Sequence, residues 1–237
     1  MKHWLLGLLC GAMGVAAAQD NQAQAWTFKL TPSVYNNRLA PQATDLNLRG
    51  NLGPHALWIG QYRSSDFGEQ TRMGYEYTLS PAWGQLVYSA QAADGGFAGG
   101  ALTAQVGGEV YGIVGWGRTN LRPYYNLNFD PNDAITLGIG TQWGQHQITL
   151  TQIRDDRLHT GQQVTHLLWH WRLSDFQRLS ADLADKRGRS DGDGPWLHGN
   201  SLSLTWDWRG HFVRLAVDQK VNFSDDTQKR LSLGWRF

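Results

Sequence analysis

His166, His170 and Ser180 are the residues whose types could do covalent chemistry, and His198 with Ser201 repeats the combination. A serine becomes a nucleophile when a histidine within hydrogen-bond reach takes its proton and a third group orients the ring. A larger set is basic: Arg49, Arg72, Arg122, Arg172, Arg178, Arg214, Arg230 and Arg236. Guanidinium groups hold carboxylate or phosphate through paired N–H donors. The acids that share their pattern are fewer: Glu76, Asp182, Asp207 and Asp218. Asp182 lies four residues from Arg178, and Asp218 four from Arg214. Two outcomes are open. The arginines attract anions into a confined space, or they pair with the acids and with backbone carbonyls and fill that space.

Asp130-Pro131-Asn132-Asp133 and Asp191-Gly192-Asp193 gather oxygen atoms of the kind calcium takes. The same residues are ordinary turn formers, and the second group lacks the glutamate that completes an EF-hand loop. No phosphate-binding glycine loop and no Cys/His zinc spacing occurs, so neither a metal nor a cofactor is expected.

The elements that must carry these residues repeat with period two. Leu231, Leu233, Trp235 and Phe237 alternate with Arg230, Ser232, Gly234 and Arg236. Thr165, Leu167, Trp169, Trp171 and Leu173 alternate with His166, His170 and Arg172. This is the periodicity of strands with one apolar and one polar face.

At the other end, Lys2 and His3 precede an apolar run from Trp4 to Val15, followed by Ala16-Ala17-Ala18. These are the parts of a secretory signal peptide over residues 1–18, leaving a single domain over residues 19–237. About a dozen apolar residues are too few to span ~30 Å of hydrocarbon as a helix. Cys10 follows Leu9, where a lipoprotein signal needs a small residue. Removing the leader removes this cysteine, and with it any disulfide or thiol nucleophile. Formal net charge is +1 over the whole sequence and Lys2 is the only charge before Asp20. The remaining chain is neutral, and no basic excess argues for nucleic acid. Mean hydropathy is −0.45, and no later segment holds some twenty continuous apolar residues. Both facts argue against a membrane-spanning helix and neither excludes a barrel, whose strands alternate lipid-facing and lumen-facing residues.

The terminal alternation ending on Phe237 resembles the last strand of bacterial outer-membrane β-barrels. That resemblance, to the broad class, implies an all-β fold, a single antiparallel transmembrane barrel and an outer-membrane location. It also implies lipid around the belt, recognition of the strand ending at Phe237 by the barrel-assembly machinery, and a monomer. Trp83, Trp143, Trp208 and Trp235 fall near turns, where an interfacial aromatic girdle belongs. A soluble barrel or sandwich, apolar side inward, has the same alternation.

Taken in order, strands are expected from Trp26 to Phe237 with short turns near residues 53, 81, 118, 144, 174 and 209. His55 to Arg63 has ambiguous facing. Leu121 to Phe129 reads as a strand, and glycine-rich Ala92 to Gly108 as a loop folded into the lumen. This gives fourteen strands, with twelve as the alternative. With apolar faces toward lipid, the lumen receives Arg49, Arg72, Glu76, Arg122, His166, His170, Arg172, Arg178, Asp182, Arg214, Asp218 and Arg230. The expected function is a narrow porin-like channel for small, anionic solutes. The alternatives are a lipid-modifying hydrolase, since some outer-membrane barrels of similar size are hydrolases using Ser and His near the outer rim, and a closed barrel with a structural or partner-binding role.

Overall fold

A computed structural model describes residues 25–237, so the expected leader over residues 1–18 lies outside the described residues. The strands are β1 (Thr27–Asn37), β2 (Ala43–Leu52), β3 (His55–Ser64), β4 (Gly68–Leu79), β5 (Gly84–Ala93), β6 (Phe97–Gly107) and β7 (Val110–Thr119). They continue with β8 (Ala134–Trp143), β9 (His146–Asp155), β10 (Gln163–Ser174), β11 (Gln177–Gly188), β12 (Leu197–Trp208), β13 (His211–Gln219) and β14 (Thr227–Arg236). Each pairs antiparallel with its sequence neighbours, and β1 pairs with β14, closing a fourteen-strand barrel. Closure pairs every edge, which a lipid environment demands. The β1–β14 pairing skips Thr31 and Pro32, where proline has no N–H to contribute.

The outer face decides between membrane and water. Leu137, Ile139 and Leu215 are 54, 56 and 57% exposed, and exposed apolar residues run across strands in rows such as Leu204, Leu215, Leu231 and Val34. An apolar belt of this extent belongs in lipid. Strands of ten or so residues, at about 3.3 Å per residue and tilted about 40°, cover an apolar band of about 25 Å. Among the described residues no helix is long and apolar enough to cross a membrane; the strands do so. Trp83, Trp143, Trp208 and Trp235 stand exposed at the barrel end that carries Thr27 and Arg236.

That end also carries the short turns, at residues 53–54, 80–83, 108–109, 144–145, 175–176 and 209–210. Two expected segments exchange roles. Ala92 to Gly108 is mostly β6, because its alternation (Phe97, Thr103 and Gln105 inward, Leu102 and Val106 outward) is hidden by glycines that have no side chain to show a face. Leu121 to Phe129 is not a strand. Residues 120–133 form the β7–β8 loop, with Leu121 and Phe129 at φ of 60° and 63° and Pro123 unable to donate to a ladder. Its alternation is real, but its apolar side chains face the barrel interior instead of lipid. The expected turn near residue 118 lies within β7. The strand total is fourteen because one strand was gained and one lost.

Candidate functional site: a loop-constricted lumen

Parity fixes which side chains enter the lumen. On β1 to β4 these are Lys29, Tyr35, Asp45, Arg49, Trp58, Arg72 and Glu76; on β10 to β14 they include His166, His170, Arg172, Arg178, Asp182, Lys186, Asp207, Phe212, Arg214, Asp218, Arg230 and Arg236. Of the residues expected in the lumen, only Arg122 departs: it is exposed in the β7–β8 loop, since that segment is not a strand.

Four of the inward arginines hold acids: Arg49, Arg72 and Arg236 reach two strands away, and Arg178 meets its neighbour on β12. Arg72 grips Asp45 with Nη1–Oδ1 at 2.8 Å and Nη2–Oδ2 at 2.9 Å, both side chains buried. Arg49 grips Glu76 through both Nη atoms, with Nη1–Oε1 at 3.0 Å. Asp207 receives Arg178 at 3.3 Å and also Arg236. Asp182 takes His166 Nδ1 at 3.1 Å, not Arg178. Lys29, Lys186, Arg214 and Arg230 have no carboxylate within 4.0 Å among the described residues. Arg214 Nε donates to Thr205 at 3.0 Å, and its guanidinium lies 5.6 Å from the Phe212 ring centre. Lys29 Nζ lies 6.0 Å from the same ring. The Arg230 guanidinium is 6.0 Å from the Tyr35 ring, and its buried Nε has no hydrogen-bond partner.

Inward rings are seated on glycines. Trp58 lies over Gly74, Tyr111 over Gly140 and Phe212 over Gly234; a Cβ at any of the three would overlap the ring. The rings therefore lie along the wall and do not stand across the lumen. From β5 to β9 the inner wall is otherwise mostly uncharged until Asp155 at its loop end, with small side chains such as Ser89, Ala101, Thr103, Gly115, Thr136 and Gly138.

The β7–β8 loop crosses this interior. Gln70 on β4 donates to the Tyr125 carbonyl at 3.1 Å and accepts the Tyr125 N–H at 2.9 Å. The Tyr125 ring stacks on Tyr62 at 4.6 Å, and Tyr124 on Phe97 at 4.1 Å. Leu127 packs with Tyr35, Ala43 and Tyr62. Phe129 is 4% exposed and lies 5.6 Å from Lys186 Nζ. Asp130 takes His166 Nε2 at 3.0 Å, and Asp133 takes Thr119 and Arg157. In the Asp130–Asp133 segment, Asp130 Oδ1, Asn132 Oδ1 and both Asp133 oxygens thus take protein donors. Between the loop and the inner face of β3 to β10 remains a cavity of about 230 Å³.

The serine–histidine combinations separate. His170 Nδ1 is 2.7 Å from Ser180 Oγ. The carboxylates lie instead on His166, four residues along β10, or about 13 Å at strand rise. His198 binds Asp185 at 2.6 Å, and Ser201 points to the opposite face from it. Lys29, Asp45, Trp58, Phe212 and Lys186 are lumen residues not expected as site candidates. Lys29 was legible from its alternation with Phe28 and Leu30. Trp58 was not, since an apolar ring signals no polar face.

No protein-family model matches the sequence, and no curated protein does. Solved structures do match in fold. The outer membrane protein Omp33 of Acinetobacter baumannii superposes with TM-score 0.60 at 11% identity, over 91% of this chain and 100% of that one. OmpF of Salmonella typhi, in complex with daunomycin, gives 0.51 at 7% identity over 92% and 99%. A mutant porin of Rh. blastica gives 0.50 at 8% over 90% and 99%. These likenesses show the fold: a closed antiparallel β-barrel of the kind that the bacterial outer-membrane porins have.

Proposed function

We propose that the protein is a narrow porin-like channel of the outer membrane that admits small solutes and favours anions. The observation that carries this is a lumen constricted by residues 120–133 but not filled, with the 230 Å³ cavity left beside the loop. The sign of the preference follows from what is unpaired. Lys29, Lys186, Arg214 and Arg230 lack a salt-bridge partner, against Asp155 and Asp218 among the inward acids of the strands, and a low-dielectric wall magnifies uncompensated charge. In this reading lipid surrounds the belt, the assembly machinery engages β14 through Phe237, and the barrel acts as a monomer. The test is reversal potential across a KCl gradient. The unaltered barrel is expected to prefer chloride, and Arg214→Gln with Arg230→Gln to lose much of that preference. Cation selectivity in the unaltered barrel would refute it.

A second reading rests on the Ser180–His170 contact at 2.7 Å, a distance suited to proton transfer. It predicts phospholipid hydrolysis abolished by Ser180→Ala. Equal turnover in the two proteins would dismiss it.

A further inference from the structure

We propose that the cavity beneath the β7–β8 loop binds an uncharged polyhydroxylated solute of about monosaccharide size. This goes beyond the channel reading, and it rests on the lumen admitting solvent, not on the sign of its charge. The chemistry of the lining is the argument. Ser89, Gln91, Thr103, Gln105, Thr136 and Thr151 all border the cavity, and none makes a side-chain hydrogen bond to another described residue. Gln105 and Thr151 are nonetheless buried, 7 and 5% exposed. Hydroxyls and amides that face a cavity without a protein partner are matched by a solute carrying both donors and acceptors.

The cations in the same lining are already engaged. Glu76 is held by Arg49 and Arg118 by Asp156, while Asp130 shares His166 with Asp182, so no cation is left over in the lining. An anionic solute there would find no free counter-charge to offset its desolvation. A neutral one is not penalised in this way.

Two rings complete the match. Trp58, seated on Gly74, and Tyr124, stacked on Phe97, both border the cavity and lie along its walls. A sugar has an apolar C–H face that packs on such a ring while its hydroxyls reach the amides. At about 30 Å³ per water, 230 Å³ is the space of roughly eight waters, suited to a six-carbon polyol and not to a chain of several sugars.

The test is calorimetric titration of the refolded barrel in detergent with D-glucose, and with D-gluconate as its charged counterpart. The expected result is saturable glucose binding, at least tenfold weaker gluconate binding, and glucose binding weakened about tenfold by Trp58→Leu or Gln105→Met. Trp58→Phe, which keeps a ring over Gly74, is expected to retain binding. Arg214→Gln is expected to leave it unchanged. Heat-modifiable gel mobility reports folding of each variant. No saturable glucose binding by the folded barrel, or gluconate binding as tightly as glucose, overturns the proposal. Titration in detergent requires no open pore, so glucose binding by a barrel that fails to conduct would sink the channel reading and leave this site standing.

Discussion

Arg72→Met is expected to cost about 3–5 kcal/mol of barrel stability. The side chains of Arg72 and Asp45 are 7 and 6% accessible, and two parallel hydrogen bonds of 2.8 and 2.9 Å join them. Removing the guanidinium strands a carboxylate in that setting, and the loss reflects the stranded charge more than the worth of the pair. The double variant Asp45→Leu/Arg72→Met should therefore recover most of it, finishing within about 1 kcal/mol of the parent or above it. The coupling in the double-mutant cycle would be about 3 kcal/mol or more, far outside the additivity expected of independent sites. Urea unfolding from lipid vesicles, followed by tryptophan fluorescence, measures all four proteins. If Arg72→Met costs less than about 1 kcal/mol, the pair behaves as a solvent-screened surface pair, and the packed loop-end interior drawn here is wrong. The same reasoning makes Arg72 a poor probe of selectivity, because its loss alters folding before it alters charge.

Three other outcomes follow from the geometry. Gly234→Leu must displace the Phe212 ring and is expected to destabilise by about 1–3 kcal/mol; adding Phe212→Ala should relieve part of this in the same unfolding assay, and strict additivity would contradict the overlap. Leu215→Lys, on the lipid belt, is expected to cost about 2–4 kcal/mol, whereas Ala216→Ser beside it but inward should cost far less; equal costs would mean the faces are misassigned. Gln70→Ala with Tyr125→Ala removes the reciprocal bonds and the ring stack that hold residues 120–133, so single-channel current should rise and become noisier. An unchanged current would show that the loop does not set the constriction.

Alternation made the barrel legible because its rule is local. Leu204, Leu215 and Leu231 each sit among polar neighbours, and that pattern needs no knowledge of the fold. The same rule failed at residues 120–133, since Tyr125, Leu127 and Phe129 alternate as a lipid-facing strand would and bury themselves inside. Pro123 was the available signal against a strand. In β6 it failed for the opposite reason, glycine having no side chain with which to declare a face. The ion pairs were hidden for a topological reason. Arg72 and Asp45 are 27 residues apart, Arg236 and Asp207 are 29, and each pair spans an intervening strand. Only the register of three neighbouring strands brings such partners together, so the arginines could be placed in the lumen from sequence but not sorted into paired and unpaired. That sorting is what turns a list of basic residues into a statement about selectivity.

The most direct measurement is single-channel recording of the refolded barrel in a planar bilayer, with folding verified by heat-modifiable mobility. The account predicts a steady, small conductance with a reversal potential displaced toward that of chloride. A folded, inserted barrel that passes no current would contradict it.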